Sequence, residues 1–167
     1  NYAFYGCYNA SINCQAVSKP VGWSGSWNMC YMASASNSYV PTNWGVLTYG
    51  DYIFKVLSNN KPRKVSISRY LGRSANLTIP DKVIISDIEY TITGIGSSAF
   101  SGCRTLNSVV VPNTVESMDS AVFSGCSSLK SITLPFVGAK RYSPGDSYQQ
   151  PFGYIFGATS YSGGTET

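Results

Sequence analysis

Two acidic side chains, Asp87 and Glu89, form the pair whose spacing could support catalysis in this sequence. They alternate on a predicted strand, so both should project from the same face of it. Two facing carboxylates can cleave a glycosidic bond, one acting as an acid and the other as a base or nucleophile. The same spacing is common in exposed hairpins, and the chain contains no histidine to act as a general acid or base. We therefore expect no catalytic residues and no enzyme activity.

Metal and phosphate sites are also not predicted. The five cysteines form no C-x-x-C pair, and without histidine a zinc site would need cysteine and carboxylate ligands alone. The glycines of Gly94-Ile95-Gly96 are not followed by a phosphate-binding lysine motif. The odd cysteine count means that the thiols cannot all pair within the chain. We expect mostly buried thiols, because cysteine is among the residues most often found inside proteins, and no bound metal or cofactor.

Positive charge is concentrated between Asp51 and Asp81, in a stretch without acidic residues. The basic patch in this stretch consists of Lys61, Arg63, Lys64, Arg69 and Arg73. The net charge of +4 is small, and the dense basic stripe of a nucleic-acid-binding protein is missing. We interpret the patch as a hairpin or edge strand kept soluble by its charges, with docking of an anionic partner as the alternative. No segment reaches the roughly 18 consecutive apolar residues of a membrane span.

An internal repeat dominates the second half of the chain. Ala99-Phe100-Ser101-Gly102-Cys103 returns further along the sequence as Val122-Phe123-Ser124-Gly125-Cys126. The same shift continues without a gap through Ile95 and Met118, Leu106 and Leu129, Val109 and Ile132, Val111 and Leu134, and Pro112 and Pro135. A third copy of the signature opens the chain as Ala3-Phe4-Tyr5-Gly6-Cys7. The two units are thus related by a shift of 23 residues. Self-similarity at a fixed period of this length is typical of solenoid proteins.

Each unit contains one short predicted strand, at residues 108–111 and 131–134, in which every second residue is apolar. A proline ends each strand because it cannot donate a ladder hydrogen bond. The repeated phenylalanine lies on the returning turn and fills the middle of the coil. Gly102 and Gly125 should form a backbone turn that a Cβ atom would obstruct.

Stacking of such coils is required because one coil cannot bury its apolar side alone. We expect Phe100 and Phe123 to be buried one above the other, and the strands to form a parallel sheet. Cys103 and Cys126 should face inward as free thiols, although a disulfide between them remains open at the coil spacing of about 4.8 Å. The outward positions of the sheet, which form either a plain solvated face or a ligand platform, are Thr78, Ser108, Val110, Ser131 and Thr133.

The pattern Ile-Gly-x-x-Ala-Phe-x-Gly-Cys-x-x-Leu-x-x-Val-x-Val-Pro, read from Ile95 to Pro112, resembles the BspA-like leucine-rich repeat. The second unit departs from it at Asp119 and Val122, which leaves the apolar frame intact. The resemblance implies a mostly β, leucine-rich-repeat solenoid with short parallel strands and little helix. It also implies a secreted or cell-surface protein that mediates adhesion by protein–protein contact, with a host matrix protein or another cell-surface protein as partner.

The resemblance divides the chain into four segments. Residues 1–45 are the end of one repeat array with an aromatic closing segment, and residues 46–95 are an array-opening hairpin and first coil. Residues 96–140 contain the two clear repeats, and residues 141–167 form an irregular tail rich in tyrosine and glycine. Because a closing segment precedes an opening one, we expect the chain to be a slice of a longer protein.

The aromatic residues of the closing segment allow more than one interpretation of the function. Trp23 and Trp27 are interpreted as a cover over the end of the core. They could instead form a platform for sugar rings, which would make the chain a carbohydrate-binding module. A structural spacer is the third reading. Residues 28–41 are longer than the family segment and predict an insertion loop, in which Cys30 is the best candidate for a thiol outside the core.

Overall fold

The computed structural model describes residues 12–14, 21, 29–30, 38–39, 42–141 and 151–157. The chain forms two compact units, Asn1–Leu47 and Thr48–Thr167. The described strands that lie wholly within the first unit are β1 (Ile12–Cys14), β2 (Met29–Cys30), β3 (Ser38–Tyr39) and β4 (Thr42–Trp44). There β1 pairs with β4 in parallel and β2 pairs with β3 antiparallel. The first copy of the repeat signature, Trp23, Trp27 and the side chain of Cys30 lie outside the described residues.

From Val46 onward the described structure is built almost entirely of strands. These are β5 (Val46–Tyr49), β6 (Tyr52–Ser58), β7 (Lys64–Tyr70), β8 (Asn76–Thr78), β9 (Lys82–Ile85), β10 (Ile88–Ile95), β11 (Ser108–Val110), β12 (Ser117–Met118) and β13 (Ser131–Thr133), followed by the helix α1 (Pro151–Phe156). The predicted class, mostly β with short strands and little helix, is confirmed. The described residues include no helix with the length and apolar character needed to cross a membrane.

Two sheets lie along successive turns of the chain. One has the order β12-β10-β7-β6-β5, with β9 added to β10 as an antiparallel partner. Within it β7, β10 and β12 run parallel, whereas β6 and β7 form an antiparallel hairpin. The other sheet is wholly parallel, in the order β13-β11-β8. Because β8, β11 and β13 come from successive coils, the short parallel strands expected from the repeat are present.

The register of the coils follows the one predicted from the gapless shift between the two repeats. Ile95 lies opposite Met118 in one sheet, and Val109 lies opposite Ile132 in the other. Backbone hydrogen bonds join the coils between the strands as well, since the amide of Asp119 donates to the carbonyl of Ile95 at 2.8 Å. Ile95, Met118 and Val109 are fully buried or nearly so. The inner residues of the two sheets therefore form one continuous core.

An aromatic column runs through the middle of the coils. We define it as Tyr52, Tyr70, Phe100, Phe123 and Phe156. Successive ring centroids are 5.1, 5.3, 5.4 and 6.3 Å apart. The rings of Phe100 and Phe123 are stacked, and both residues are 0% exposed, which confirms the predicted burial of one above the other. The backbone amides that place the column are also equivalent: Tyr70 donates to the carbonyl of Ala99, and Phe100 to that of Val122.

The two repeat glycines adopt the backbone conformation expected of a turn, with φ of +73° at Gly102 and +71° at Gly125. Obstruction of a Cβ atom, the predicted reason for glycine at these two positions, is not found. A Cβ atom on Gly102 would meet nothing within 4 Å, and one on Gly125 would make ordinary contacts of 3.5 and 3.6 Å with the Gly102 backbone. Glycine is favoured here because its backbone adopts positive φ without strain, rather than because a side chain would be obstructed.

The helix α1 supplies a further layer beyond the second repeat. The amide of Phe123 donates to the carbonyl of Ile155 at 2.9 Å, as the amide of Phe100 does to Val122. Ile155 is fully buried, and Gly157 has φ of +86°, close to the values of the two repeat glycines. The tail was predicted to be irregular. The structure describes residues 141 and 151–157 of it, and Pro151–Phe156 form the short helix that extends the column.

Candidate binding surfaces

The outer face of the β8-β11-β13 sheet carries the five residues predicted from the sequence. The strand register arranges this face in two rows, Asn76-Ser108-Ser131 and Thr78-Val110-Thr133. Val109 alternates with them and is 1% exposed, which places the two rows on the solvent side. Their binding role stays a prediction.

The chemistry of this face is uncharged and rich in hydroxyl groups. Ser108 Oγ donates to Asn76 Oδ1 at 2.7 Å, which links neighbouring strands on the surface. Val110 lies at the centre of its row and is 39% exposed. The face therefore combines one apolar residue with surrounding hydrogen-bonding groups.

Asp87 and Glu89 do not share one strand as predicted, although both residues line the same pocket. Asp87 lies in the turn between β9 and β10 with φ of +63°, rather than on a strand with Glu89. Glu89 on β10 accepts a hydrogen bond from Lys82 Nζ at 3.0 Å. That contact raises the pKa of Lys82 above its ordinary value. Within the described ranges, no group of three or more histidine, cysteine or acidic residues is arranged to hold a metal ion.

The cysteines of the two repeats are free thiols. Cys126 is buried and its Sγ donates to the carbonyl oxygen of Phe100 at 3.1 Å, so it serves the core. Burial, with a smaller contribution from Cys103, raises the pKa of Cys126 to about 11. Cys103 is only half-buried, and burial raises its pKa as well. The expectation of a buried free thiol is thus confirmed for Cys126, and the alternative disulfide is not formed.

Alkylation rates should follow this difference. At about pH 8 we expect iodoacetamide to modify Cys126 much more slowly than Cys103, because the reactive thiolate is rarer and the sulfur is less accessible. Peptide mass spectrometry at successive times measures both rates, and labelling in urea provides the control in which the two rates converge. Equal rates in the folded protein, or peptides linked through these cysteines, would contradict the assignment.

The basic stretch does not form a single patch. Lys64 Nζ pairs with Glu116 Oε1 at 3.0 Å on the surface. Lys61 and Arg63 line a small pocket together with the acidic residues Asp87 and Glu89. Arg69 and Arg73 line a different groove, to which Arg104 of the first repeat contributes the third guanidinium group. The single solvated patch predicted from the sequence is therefore divided into three environments.

The groove lined by Arg69, Arg73 and Arg104, which we call the arginine groove, has a volume of about 670 Å³. It opens where the turn after β7 meets the returning turn of the first repeat, joined by the hydrogen bond from the Tyr70 amide to the Ala99 carbonyl at 2.8 Å. None of its lining residues is acidic. The serine and threonine hydroxyl groups of its wall come from Ser68, Ser97, Ser98, Ser101 and Thr105.

Sequence reasoning missed Arg104 as a member of this groove. It directly follows Gly102-Cys103, where the second repeat has Ser127, so the difference between the two units was visible. The turn after β7 also carried a signal. Ser68-Arg69-Tyr70-Leu71-Gly72 matches Ser98-Ala99-Phe100-Ser101-Gly102 in its serine, aromatic and glycine positions.

Comparison with known families agrees with the repeat geometry. Residues 74–141 match the family model described as BspA type leucine-rich repeat region (6 copies). This range includes β8, β11 and β13 and both phenylalanine turns. No curated protein matches the chain.

Solved structures with similar chains are bacterial leucine-rich-repeat proteins. A leucine-rich repeat protein from Bacteroides capillosus is 29% identical with a TM-score of 0.47, over 53% of this chain and 64% of that chain. A leucine rich cell surface protein from Faecalibacterium prausnitzii is 32% identical with a TM-score of 0.46, over 53% of this chain and 23% of that chain. The T. pallidum leucine-rich repeat protein is 27% identical with a TM-score of 0.42, over 53% of this chain and 39% of that chain.

The chain thus spans less than two thirds of the length of each of these proteins. Their TM-scores are below 0.5, so the assignment depends on the matched repeat residues and on the stacked coils that those residues form. Residues 74–141 are thus a stretch of BspA-type leucine-rich repeats.

Proposed function

We propose that this chain is a non-catalytic repeat scaffold, secreted or displayed at the cell surface, that mediates adhesion by binding a protein partner. The contact surface is the outer face of the β8-β11-β13 sheet. The location is inferred from the BspA-type repeats, since the resemblance to that family implies secretion or surface display. The partner class is inferred from the face itself.

The observation that carries the proposal is the arrangement of this face over a fully packed core. Val109 on β11 is 1% exposed, and the backbone of each strand is fixed by its neighbours on the same sheet. A surface held in this way loses little conformational entropy on binding. A partly exposed Val110 surrounded by hydroxyl and amide groups has the apolar centre and polar rim typical of protein interfaces.

The acidic and nucleophilic groups favour binding over catalysis. The chain has no histidine, and Asp87 lies in a turn rather than on the strand that carries Glu89. The thiol of Cys126 is directed at a backbone carbonyl, and its raised pKa disfavours the nucleophilic thiolate. These features favour a function that depends on the surface of the repeat rather than on a reaction centre.

A binding screen with matched variants tests the proposal. We expect the chain to bind at least one member of a panel of purified extracellular-matrix proteins in surface plasmon resonance. Val110→Arg should weaken that binding by at least about tenfold, because it places an unpaired charge at the apolar centre. Ile84→Arg is the control, since Ile84 is 60% exposed on β9, a strand of the other sheet.

The outcomes separate the proposal from its alternatives. Equal loss of binding in both variants, with unchanged melting curves, would place the contact away from this face. Binding to neutral polysaccharides but to no protein would favour the carbohydrate-binding module, for which Trp23→Ala should then abolish retention. A chain that binds no protein while a longer form of the protein does would favour the spacer.

A further inference from the structure

We infer that the arginine groove binds an anionic polysaccharide, whose carboxylate or sulfate groups are held by Arg69, Arg73 and Arg104. This site is separate from the sheet face proposed to bind protein. It depends on side chains that the topology brings together from three segments: β7, the turn after it, and the end of the first repeat's returning turn.

The charge of the groove is uncompensated along its wall. All three arginines are exposed, and within the described part of the chain none of them forms an ion pair. By contrast, Lys64 and Lys82 each have a carboxylate partner at 3.0 Å. Three guanidinium groups around one concave surface create a positive potential that attracts and orients a polyanion.

The backbone that carries the arginines is firmly held. The amide of Leu71 donates to the carbonyl of Asp51 at 2.8 Å, between Arg69 and Arg73. The amide of Arg104 donates to the carbonyl of Gly102, and the amide of Gly102 donates to Ser124 of the next coil, both at 2.8 Å. The spacing of the three side-chain origins is thus set by the fold, which lowers the cost of ordering them around a ligand.

The remaining wall favours a saccharide over an acidic peptide. A bound peptide is normally anchored by apolar pockets or by pairing with a strand edge. The exposed apolar side chain in this groove is Leu71, which is 55% exposed, whereas Ala99 and Tyr70 are buried. Five serine and threonine hydroxyl groups line the rest of the wall, and four of them can exchange hydrogen bonds with sugar hydroxyls, whereas Ser97 Oγ already donates to the carbonyl of Ser120 at 3.1 Å. Guanidinium groups bind carboxylate and sulfate-like oxygens through paired hydrogen bonds.

One acidic residue close to the arginine groove partly offsets its positive charge. Asp51 lies behind Gly72, with its Oδ2 atom 2.6 Å from the point that a Cβ on Gly72 would occupy. It is not among the lining residues, yet it is close enough to reduce the positive potential near Arg73. Its removal should therefore strengthen binding, which provides a variant with an effect of opposite sign.

Titration calorimetry on the full chain tests the inference with three probes: a heparin oligosaccharide, polygalacturonate and neutral dextran. We expect the two anionic probes to bind, with affinity that falls as NaCl screens the charges, and dextran not to bind. Arg69→Gln, Arg73→Gln and Arg104→Gln should each weaken binding by about three- to tenfold, as expected for exposed charge-assisted contacts. The triple variant should show no binding, and Asp51→Asn should bind more tightly.

Arg63→Gln is the matched control, because it removes the same charge from the pocket at the other end of β7. Its affinity should stay within about twofold of the original chain. An equal loss in Arg63→Gln would show attraction by net charge alone and overturn the site. Binding of poly-glutamate as tight as that of polygalacturonate would overturn the saccharide class, and failure of both anionic probes would overturn the inference as a whole.

Discussion

Replacing Phe100 with alanine will lower the free energy of unfolding by about 3–5 kcal/mol. The ring is 0% exposed and lies between Tyr70 and Phe123, at centroid distances of 5.3 and 5.4 Å. Its loss leaves a cavity in the centre of the aromatic column. The rings on both sides are fixed by backbone hydrogen bonds between coils, so they cannot close the gap easily. A loss of this size is a large fraction of the stability of a typical domain.

Chemical denaturation followed by far-ultraviolet circular dichroism measures this loss. Tyr49→Ala is the control, since Tyr49 is also aromatic but 52% exposed on β5. The control should change the free energy of unfolding by less than about 0.5 kcal/mol. A Phe100→Ala variant with a cooperative transition as stable as the control would show that the stacked rings do not support the solenoid.

Replacing Gly72 with alanine will cost about 1–3 kcal/mol through overpacking. A Cβ atom there would overlap the Tyr70 side chain at both Oη and Cζ, and would lie 2.6 Å from Asp51 Oδ2. The carboxylate can turn away, but the Tyr70 ring is 6% exposed and held between Tyr52 and Phe100. The segment from Leu71 to Arg73 must therefore shift, and with it one wall of the arginine groove.

Two variants separate this steric cost from the usual penalty of replacing a glycine. Gly102→Ala has open space around its Cβ but positive φ, so it reports the conformational cost alone, at about 1 kcal/mol. Tyr70→Phe removes the nearest oxygen, so the loss in the Gly72→Ala, Tyr70→Phe double variant should be smaller than the sum of the two single losses. Additive losses in urea denaturation would show that the hydroxyl oxygen is not the obstacle, because the ring carbon Cζ, which the same Cβ would overlap, remains in phenylalanine.

The repeat allowed much of the fold to be predicted from the sequence. One gapless shift, which carries Phe100 onto Phe123, specifies which side chains lie opposite each other in neighbouring coils. The pairs Ile95–Met118 and Val109–Ile132 are found as expected. The outward positions of β11 and β13 followed from the same register. The local alternation of apolar residues and the stacking of the coils agree, so each supports the other.

The arginine groove could not be predicted in the same way. Arg69 and Arg104 are far apart in sequence, and they approach because Tyr70 occupies the place that phenylalanine has in the repeats. That equivalence is hidden by the spacing, since the interval from Tyr70 to Phe100 is longer than the interval from Phe100 to Phe123.

The helix α1 could not be predicted either, because the spacing between equivalent residues also changes there. Ile155 takes the place that Val122 has one coil earlier, because the amides of Phe123 and Phe100 donate to their respective carbonyls. The interval from Val122 to Ile155 is longer than the interval from Ala99 to Val122, so no fixed period connects the three. Residue spacing alone therefore specifies neighbours within the regular units but not at their borders.

The coil-to-coil bonding also limits how such a gene can change in length. Each layer offers its neighbour the same set of amides and carbonyls, as the bonds of Phe100 to Val122 and of Phe123 to Ile155 show. Duplication of one whole unit would insert a layer that re-forms both contacts, so array length can vary with little energetic cost. Insertion of a single residue between Ser108 and Val109 would instead turn the buried Val109 and Val111 toward water. Evolution by whole units is the route that this architecture tolerates.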